Sequence, residues 1–333
     1  MRVVLIAVAV AAALWSGYWY IGSRSVENGL RGWLNARADA GWTAGYSDVQ
    51  TRGFPNRFDT TITDLDLAEP ATGVAWSAPF LQLFQLSYQP DHIIAVWPGT
   101  QTITAPRQRL TIGSDRFQAS AIFKPDSDLE LDHSNVVLDG LVLTSTAGWS
   151  AQVDSLLFAT RRTAARPQSH DIGVEATAIR LPDTLSDRLD PAGLLPRTVD
   201  RLKIDAAIGL DAPLDRTAIE TARPAITRID LNLLQANWGQ LELWATGDLQ
   251  IDASGLPTGT VTIKAQNWRE MLRIGVATGW IPEALQSTLE AGLEPLASLS
   301  GSSQTLDAPL TFADGKVALG PIPLGPAPRL RPR

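Results

Sequence analysis

No cysteine occurs in this chain, histidine is confined to three positions and methionine to two. Without thiols there is no disulfide framework, no Cys nucleophile, no CxxC redox pair and no thiolate metal site. Charge is sparse as well: 19% of residues are charged, the net charge is −7 and the pI lies near 5.0. A nucleic-acid partner would demand a basic stripe that displaces counterions, and none is present. The nearest approaches are Arg161, Arg162 and Arg166, and the terminal Arg329, Arg331 and Arg333, which read as a solvated linker and tail. Also missing are HExxH, GxSxG, GxxxxGK[ST], and any GxGxxG at a strand-to-helix junction.

What is present begins with a single long apolar run, Val3 to Ile21 (VVLIAVAVAAALWSGYWYI), preceded by Arg2. At about 1.5 Å rise per residue a helix of this length covers roughly 28 Å, enough to cross the hydrocarbon of a bilayer. Trp15, Tyr18, Trp19 and Tyr20 collect at its far end, where amphipathic rings favour the headgroup layer, and Arg2 favours a cytoplasmic N-terminus. The expectation is a single-pass anchor with the bulk of the chain on the outward side of the membrane. A cleaved secretory signal is the competing reading, with Ala11 to Ala13 as the small-residue site. Both export the remainder.

Five segments are expected: an anchor over 1–22, an amphipathic helix over 23–45, antiparallel β regions over 46–165 and 166–319, and a Pro-rich tail over 320–333. Ser25 is read as the cap of a helix in which Val26, Leu30, Trp33 and Leu34 recur at helical spacing. That helix packs on the domain or lies on the membrane surface. From Tyr46 the apolar period becomes 2, the mark of strands with one buried face. Leu202, Ile204, Ala206, Ile208 and Leu210 alternate with polar or small residues, as do Leu241, Leu243, Ala245, Gly247, Leu249 and Ile251. Turns at Ser254-Gly255 and Asp314-Gly315 separate neighbouring strands, so the expected topology is an antiparallel meander. The apolar phase slips between Ile62 and Leu65, predicting a bulge near Thr63 or Asp64. Helices near 268–297 start at Asn267 and Pro282, the second carrying the stripe Leu285, Leu289, Leu293 and Leu296. The segment 161–169 is a linker or long hairpin loop, and prolines 321, 323, 326, 328 and 332 favour extended polyproline conformation in the tail. The fold class is therefore mainly β (α+β), an N-terminal transmembrane helix followed by a curved antiparallel sheet with a few covering helices.

Candidate chemistry is thin. His133 follows Asp132 near Glu130, a combination suited to acid-base work, but consecutive strand residues point to opposite faces and should not converge. His92 sits among apolar partners and reads as structural. Asp126 and Asp128 lack the glycine and distal Glu of a calcium loop. No catalytic, cofactor-binding or metal-binding residue is assigned. Trp76, Trp97, Trp149, Trp238, Trp244, Trp268 and Trp280 form a core or line a groove.

Several strings carry a resemblance: Gly53-Phe-Pro, Trp76-Ser-Ala-Pro, the Tyr88 to Gly99 segment, Gln118-Ala-Ser, and Asp314-Gly-Lys-Val-Ala-Leu-Gly-Pro-Ile-Pro-Leu-Gly. Together they resemble the domain of unknown function 2125 family of alphaproteobacteria across nearly the whole chain. The C-terminal order of strand, Gly255 turn, strand, Trp268 helix and Asp314-Gly315 hairpin is also distantly similar to AsmA-type envelope proteins. The resemblance implies a membrane-anchored periplasmic β body of a class associated with lipid handling or envelope assembly, and supplies no catalytic residues. The reading is a non-enzymatic protein of the cell envelope that binds or transfers lipid along an apolar sheet face. Leu241, Leu243, Leu249, Ile251, Leu285 and Leu289 are its candidate lipid-facing residues. An adaptor that binds another envelope protein is the alternative, and a hydrolase of envelope polymers is the third reading. Sequence alternation looks the same whether this face closes on a core or leaves an apolar trough.

Overall fold

The computed structural model describes residues 1 to 330 except 127, 165, 167, 192, 221, 222, 280, 300 and 301. Trp280, Arg331 and Arg333 lie outside the described residues, as do two positions within 161–169. The chain folds as two compact units, residues 1–123 with 136–148, and residues 124–135 with 149–333. The fold is mainly β, with antiparallel pairing, a long apolar N-terminal helix and a few short helices.

The first unit contains α1 (Arg2–Asp39), β1 (Thr43–Gly45), β2 (Asp48–Arg52), β3 (Arg57–Glu69), β4 (Val74–Leu86), β5 (Gln89–Val96), β6 (Thr100–Ala105), β7 (Gln108–Gly113), β8 (Arg116–Phe123) and most of β9 (Leu131–Ser145). β1 and β2 both lie on β3, which pairs with β4 along its whole length. β4 then splits: Ala75 to Ser77 pair with β6, and Gln82 to Leu86 with β5. The two branches continue as β6, β7 and β9, and as β5 and β8.

One continuous helix replaces the expected anchor and separate amphipathic helix. Ser25 is no cap; its hydroxyl donates to the Ile21 carbonyl inside α1. The physical reason is the absence of a stop: the glycines of α1, Gly17, Gly22, Gly29 and Gly32, are isolated, each costs only about 1 kcal/mol, and the helix contains no proline. The helix ends at Asp39, where Gly41 takes a positive φ. Its second half buries Leu34 against Val49, Ile62 and Leu65 from β2 and β3, the core of this unit. The phase slip is at Asp64, whose φ is 51°, and it buries both Ile62 and Leu65. Thr63 and Leu65 keep one register with Phe80 and Ala78, so no extra residue is inserted.

The second unit is a meander of β10 (Ser150–Arg162), β11 (Ser169–Arg180), β12 (Thr198–Leu210), β13 (Ile226–Trp238), β14 (Leu241–Ile251), β15 (Pro257–Gln266), β16 (Thr305–Ala313), β17 (Lys316–Leu319) and β18 (Ile322–Pro326), each paired antiparallel with the next. Of the expected linker 161–169, Arg161 and Arg162 belong to β10 and Ser169 to β11. Helices α2 (Asp183–Leu189), α3 (Arg216–Glu220), α4 (Trp268–Ala277) and α5 (Gln286–Leu299) interrupt it, α5 being preceded by a 3-10 turn at Glu283–Leu285. β18 corrects the expectation of a polyproline tail, since Ile322 and Pro323 pair with Leu319 and Ala318. A proline forgoes only its own ladder donation, so the strand keeps the remaining pairs.

Candidate functional site

Directly opposed residues of an antiparallel pair share a face, so the registers of β10 to β16 can be read across the sheet as rows. One row runs Leu156, Ala176, Leu202, Ala236, Leu243, Ala265 and Leu306. The next runs Phe158, Val174, Ile204, Leu234, Ala245, Ile263 and Ala308, and a third Thr160, Ile172, Ala206, Leu231, Gly247, Val261 and Leu310. The sequence thus lays one apolar face over seven strands.

That face is covered unevenly. At β15 and β16 the helices close it: Trp268 and Leu272 of α4, and Leu289, Leu293 and Ala297 of α5, form a buried cluster with Ala265, Leu306 and Ala308. A second cluster joins Ala245, Leu249, Ile251, Val261 and Phe312 to Ala327 of the tail. Further along, Leu156, Phe158, Ile172, Val174, Leu202, Ile204 and Ile208 are only partly buried. None of them belongs to a buried cluster among the described residues.

The six candidate lipid-facing residues fall on the covered side. Leu249 and Ile251 lie in the second cluster and Leu289 is fully enclosed in the first. Leu243 and Leu285 pack against the first cluster while keeping some exposure, and buried Leu241 lines a cleft. Alternation could not separate these positions from Leu202 and Ile204, because every row has the same period. What covers each row is a tertiary matter.

The face ends in polar groups. Arg162 and His170 are paired across β10 and β11, in the row that continues to Ile208 and Ile229. His170 is buried, its Nδ1 lies 3.2 Å from the Thr160 hydroxyl, and desolvation holds its pKa below the ordinary 6.5. Arg162 Nη2 donates to Asp132 at 3.4 Å, and Lys124 pairs with Glu130 beside it. Asp132 and His133 do meet, with Nδ1 to Oδ2 at 3.0 Å, contrary to the expectation from strand alternation. Both side chains are well exposed, so no packing keeps them on opposite faces and they bend together at the start of β9. The bond to His133 is the main cause holding the Asp132 carboxyl below its usual value. Among the described residues no hydroxyl bonds to His133, and no group of three His, Asp or Glu side chains could hold a metal ion. His92 contacts the Ser120 hydroxyl at 2.8 Å on the β5–β8 pair.

The described tryptophans do not share one groove. Trp76 donates to Gln101, Trp97 stacks on Phe117, Trp238 donates to the Pro196 carbonyl, Trp244 faces Lys264, and Trp268 is in the α4–α5 core. A cleft of about 620 Å³ opens beside the start of α4, between Leu195, Pro196, Gln240, Leu241, Asn267 and Arg273. Its arginines are already satisfied: Arg269 by Glu294 and the Ser303 carbonyl, Arg273 by Glu270.

Fold and site together define a mainly β protein with one apolar helix long enough to span a membrane, and an apolar sheet face covered along part of its length. The chain belongs to the family described as an uncharacterized protein conserved in bacteria (DUF2125), whose model matches residues 19–328. No curated protein and no solved structure matches it.

Proposed function

We propose that this protein is a non-enzymatic component of the bacterial cell envelope, anchored in the inner membrane by the Val3 to Ile21 segment of α1, with both β units in the periplasm. There it holds the acyl part of a lipid against its sheet. The observation that carries the reading is the partly exposed run Leu156, Phe158, Ile172, Val174, Leu202, Ile204 and Ile208, which extends the rows of the covered core and joins no buried cluster among the described residues. Burying apolar surface contributes about 25 cal/mol per Å², so partly exposed rows of this kind favour an apolar occupant. At the polar end Arg162 and Lys124 are engaged by Asp132 and Glu130, and the anchor tethers the chain to the membrane that supplies the lipid. Of the six candidates, Leu243 shares a row with Leu202 and Leu156, whereas Leu285 packs on the first cluster and Leu241, Leu249, Ile251 and Leu289 are buried in the covered part.

Mass spectrometry of lipids that copurify with the detergent-extracted chain tests the reading. Ile204→Lys should lower bound lipid severalfold while leaving the fold intact. An absence of lipid from the parent protein would put the adaptor reading in its place, with another envelope protein as partner.

A further inference from the structure

The apolar end of α1 does not stand free of the first unit. Trp15 Nε1 donates to the Pro55 carbonyl at 2.8 Å and Trp19 Nε1 to the Arg57 carbonyl at 2.8 Å, while the Tyr18 hydroxyl donates to the Ser87 carbonyl. Trp19 also meets Phe54 edge to face with centroids 5.5 Å apart. The β2–β3 loop and the β4–β5 turn are therefore level with residues 15–19, inside the apolar run rather than beyond it.

Helix length decides what this means. From Val3 to Leu14, the part of the run before the first of these bonds, α1 covers only about 18 Å, against the roughly 30 Å of hydrocarbon that must be crossed. Tilting the helix only lengthens the requirement. A spanning α1 must use residues up to about Ile21, and Trp15 lies about 9 Å below that end. The loop and turn bonded to it are carried below the membrane surface with it.

Their exposed side chains fit that depth. Phe54 is 57% exposed and Tyr88 62%, with Trp15, Tyr18 and Tyr20 also open on the helix. Large apolar and amphipathic rings at the headgroup boundary form the belt that spanning helices use for anchorage. Arg57 pairs with Asp59 and lies 5.6 Å over the Phe84 ring, and Arg24 lies 5.6 Å over the Tyr20 ring, placements that let each head reach water along an apolar stem.

We infer that Phe54 and Tyr88 form a second membrane contact, inserting just beneath the headgroups into the outer part of the bilayer leaflet on the domain's side and seating the first unit against the membrane. The inference rests on α1 spanning the bilayer and is independent of any lipid held by the sheet. Because the chain has no cysteine, single cysteines at Phe54, Tyr88, Ala71 and Val8 can carry an environment-sensitive fluorophore without background. The full chain is reconstituted into nanodiscs of phosphatidylethanolamine and phosphatidylglycerol with spin-labelled lipids as depth-resolved quenchers. Labels at 54 and 88 should emit at blue-shifted wavelengths and be quenched at least twofold more by the shallow spin label than by the deep one. The label at 71, on the turn at the other end of β3, should be quenched by neither, and the label at 8 by the deep one. Should 54 and 88 behave like 71 while 8 is quenched, the anchor stands and this contact is overturned. If 8 escapes quenching, spanning itself fails and the inference falls with it.

Discussion

Glu27, in the second half of α1, accepts the backbone N–H of Thr51 at 2.8 Å through one carboxylate oxygen and an N–H of Arg24 at 3.0 Å through the other. The carboxylate is buried, and it joins α1 to β2. Glu27→Ala would leave the Thr51 donor without its partner, a loss of about 1–3 kcal/mol. Glu27→Gln keeps an acceptor and should recover part of it. Thermal unfolding of the detergent-solubilised chain checks the order, parent above Gln above Ala.

Covered and uncovered parts of the apolar face should respond differently to truncation. Leu289→Ala removes a side chain enclosed by α4, β15 and β16 and should destabilise by about 2–5 kcal/mol. Ile204→Ala, from a half-open row, should cost clearly less when both are unfolded in urea. Leu243→Trp, at the margin, should destabilise by about 1–3 kcal/mol through overpacking if the rows there are filled. If it instead lowers copurified lipid with little change in stability, a lipid chain reaches as far as β14.

Acid should weaken the second unit in two steps. Burial lowers the His170 pKa, reinforced by Arg162 and opposed by Glu130, Asp132 and Asp171, so the folded state holds this ring neutral where the unfolded chain would protonate it. Its contribution is complete above the unfolded value of 6.5 and is lost as pH falls through the lower folded value. Asp132, lowered chiefly by His133, follows the same sign from 3.8 downward. Urea midpoints at pH 7.5 and 5.5 should differ in the parent and converge in His170→Gln. If that variant accumulates normally, any cellular phenotype of the gene should also persist, as it should for His92→Gln and His133→Gln.

Two glycines predict opposite outcomes for one substitution. Gly247 has a φ of 156°, and an added Cβ would lie 2.2 Å from the Thr260 carbonyl oxygen, where β14 and β15 approach closely. Gly247→Ala should destabilise by about 1–3 kcal/mol or more, since backbone must move. Gly173 on β11 has open space where its Cβ would stand, so Gly173→Ala should be close to neutral or slightly stabilising. Melting temperatures of the two variants decide.

Most of the architecture was legible because it depends on local period. Alternation at Leu202 to Leu210 and Leu241 to Ile251 placed β12 and β14, the turn residues Gly255 and Gly315 placed their hairpins, and Asn267 and Pro282 marked the helical starts. The Asp132–His133 pair and the pairing of the proline-bearing β18 escaped, since each depends on what a neighbour in space permits. So did the continuity of α1, whose second half is held by Leu34 and Glu27 on β2 and β3.

By itself the sequence determined that the chain carries one apolar segment of spanning length, that thiol chemistry is absent, and that the body is antiparallel sheet with one apolar side. Composition and period are properties of consecutive residues and need no partner. Only the tertiary structure decided which rows of that side lie under α4 and α5 and which stay half open, for Leu249 and Ile204 carry the same signal. It also decided that Trp15 and Trp19 hold the loops of the first unit alongside the apolar run. Those relations join residues tens of positions apart, and they exist only where folding has brought a carbonyl or a helix to meet them.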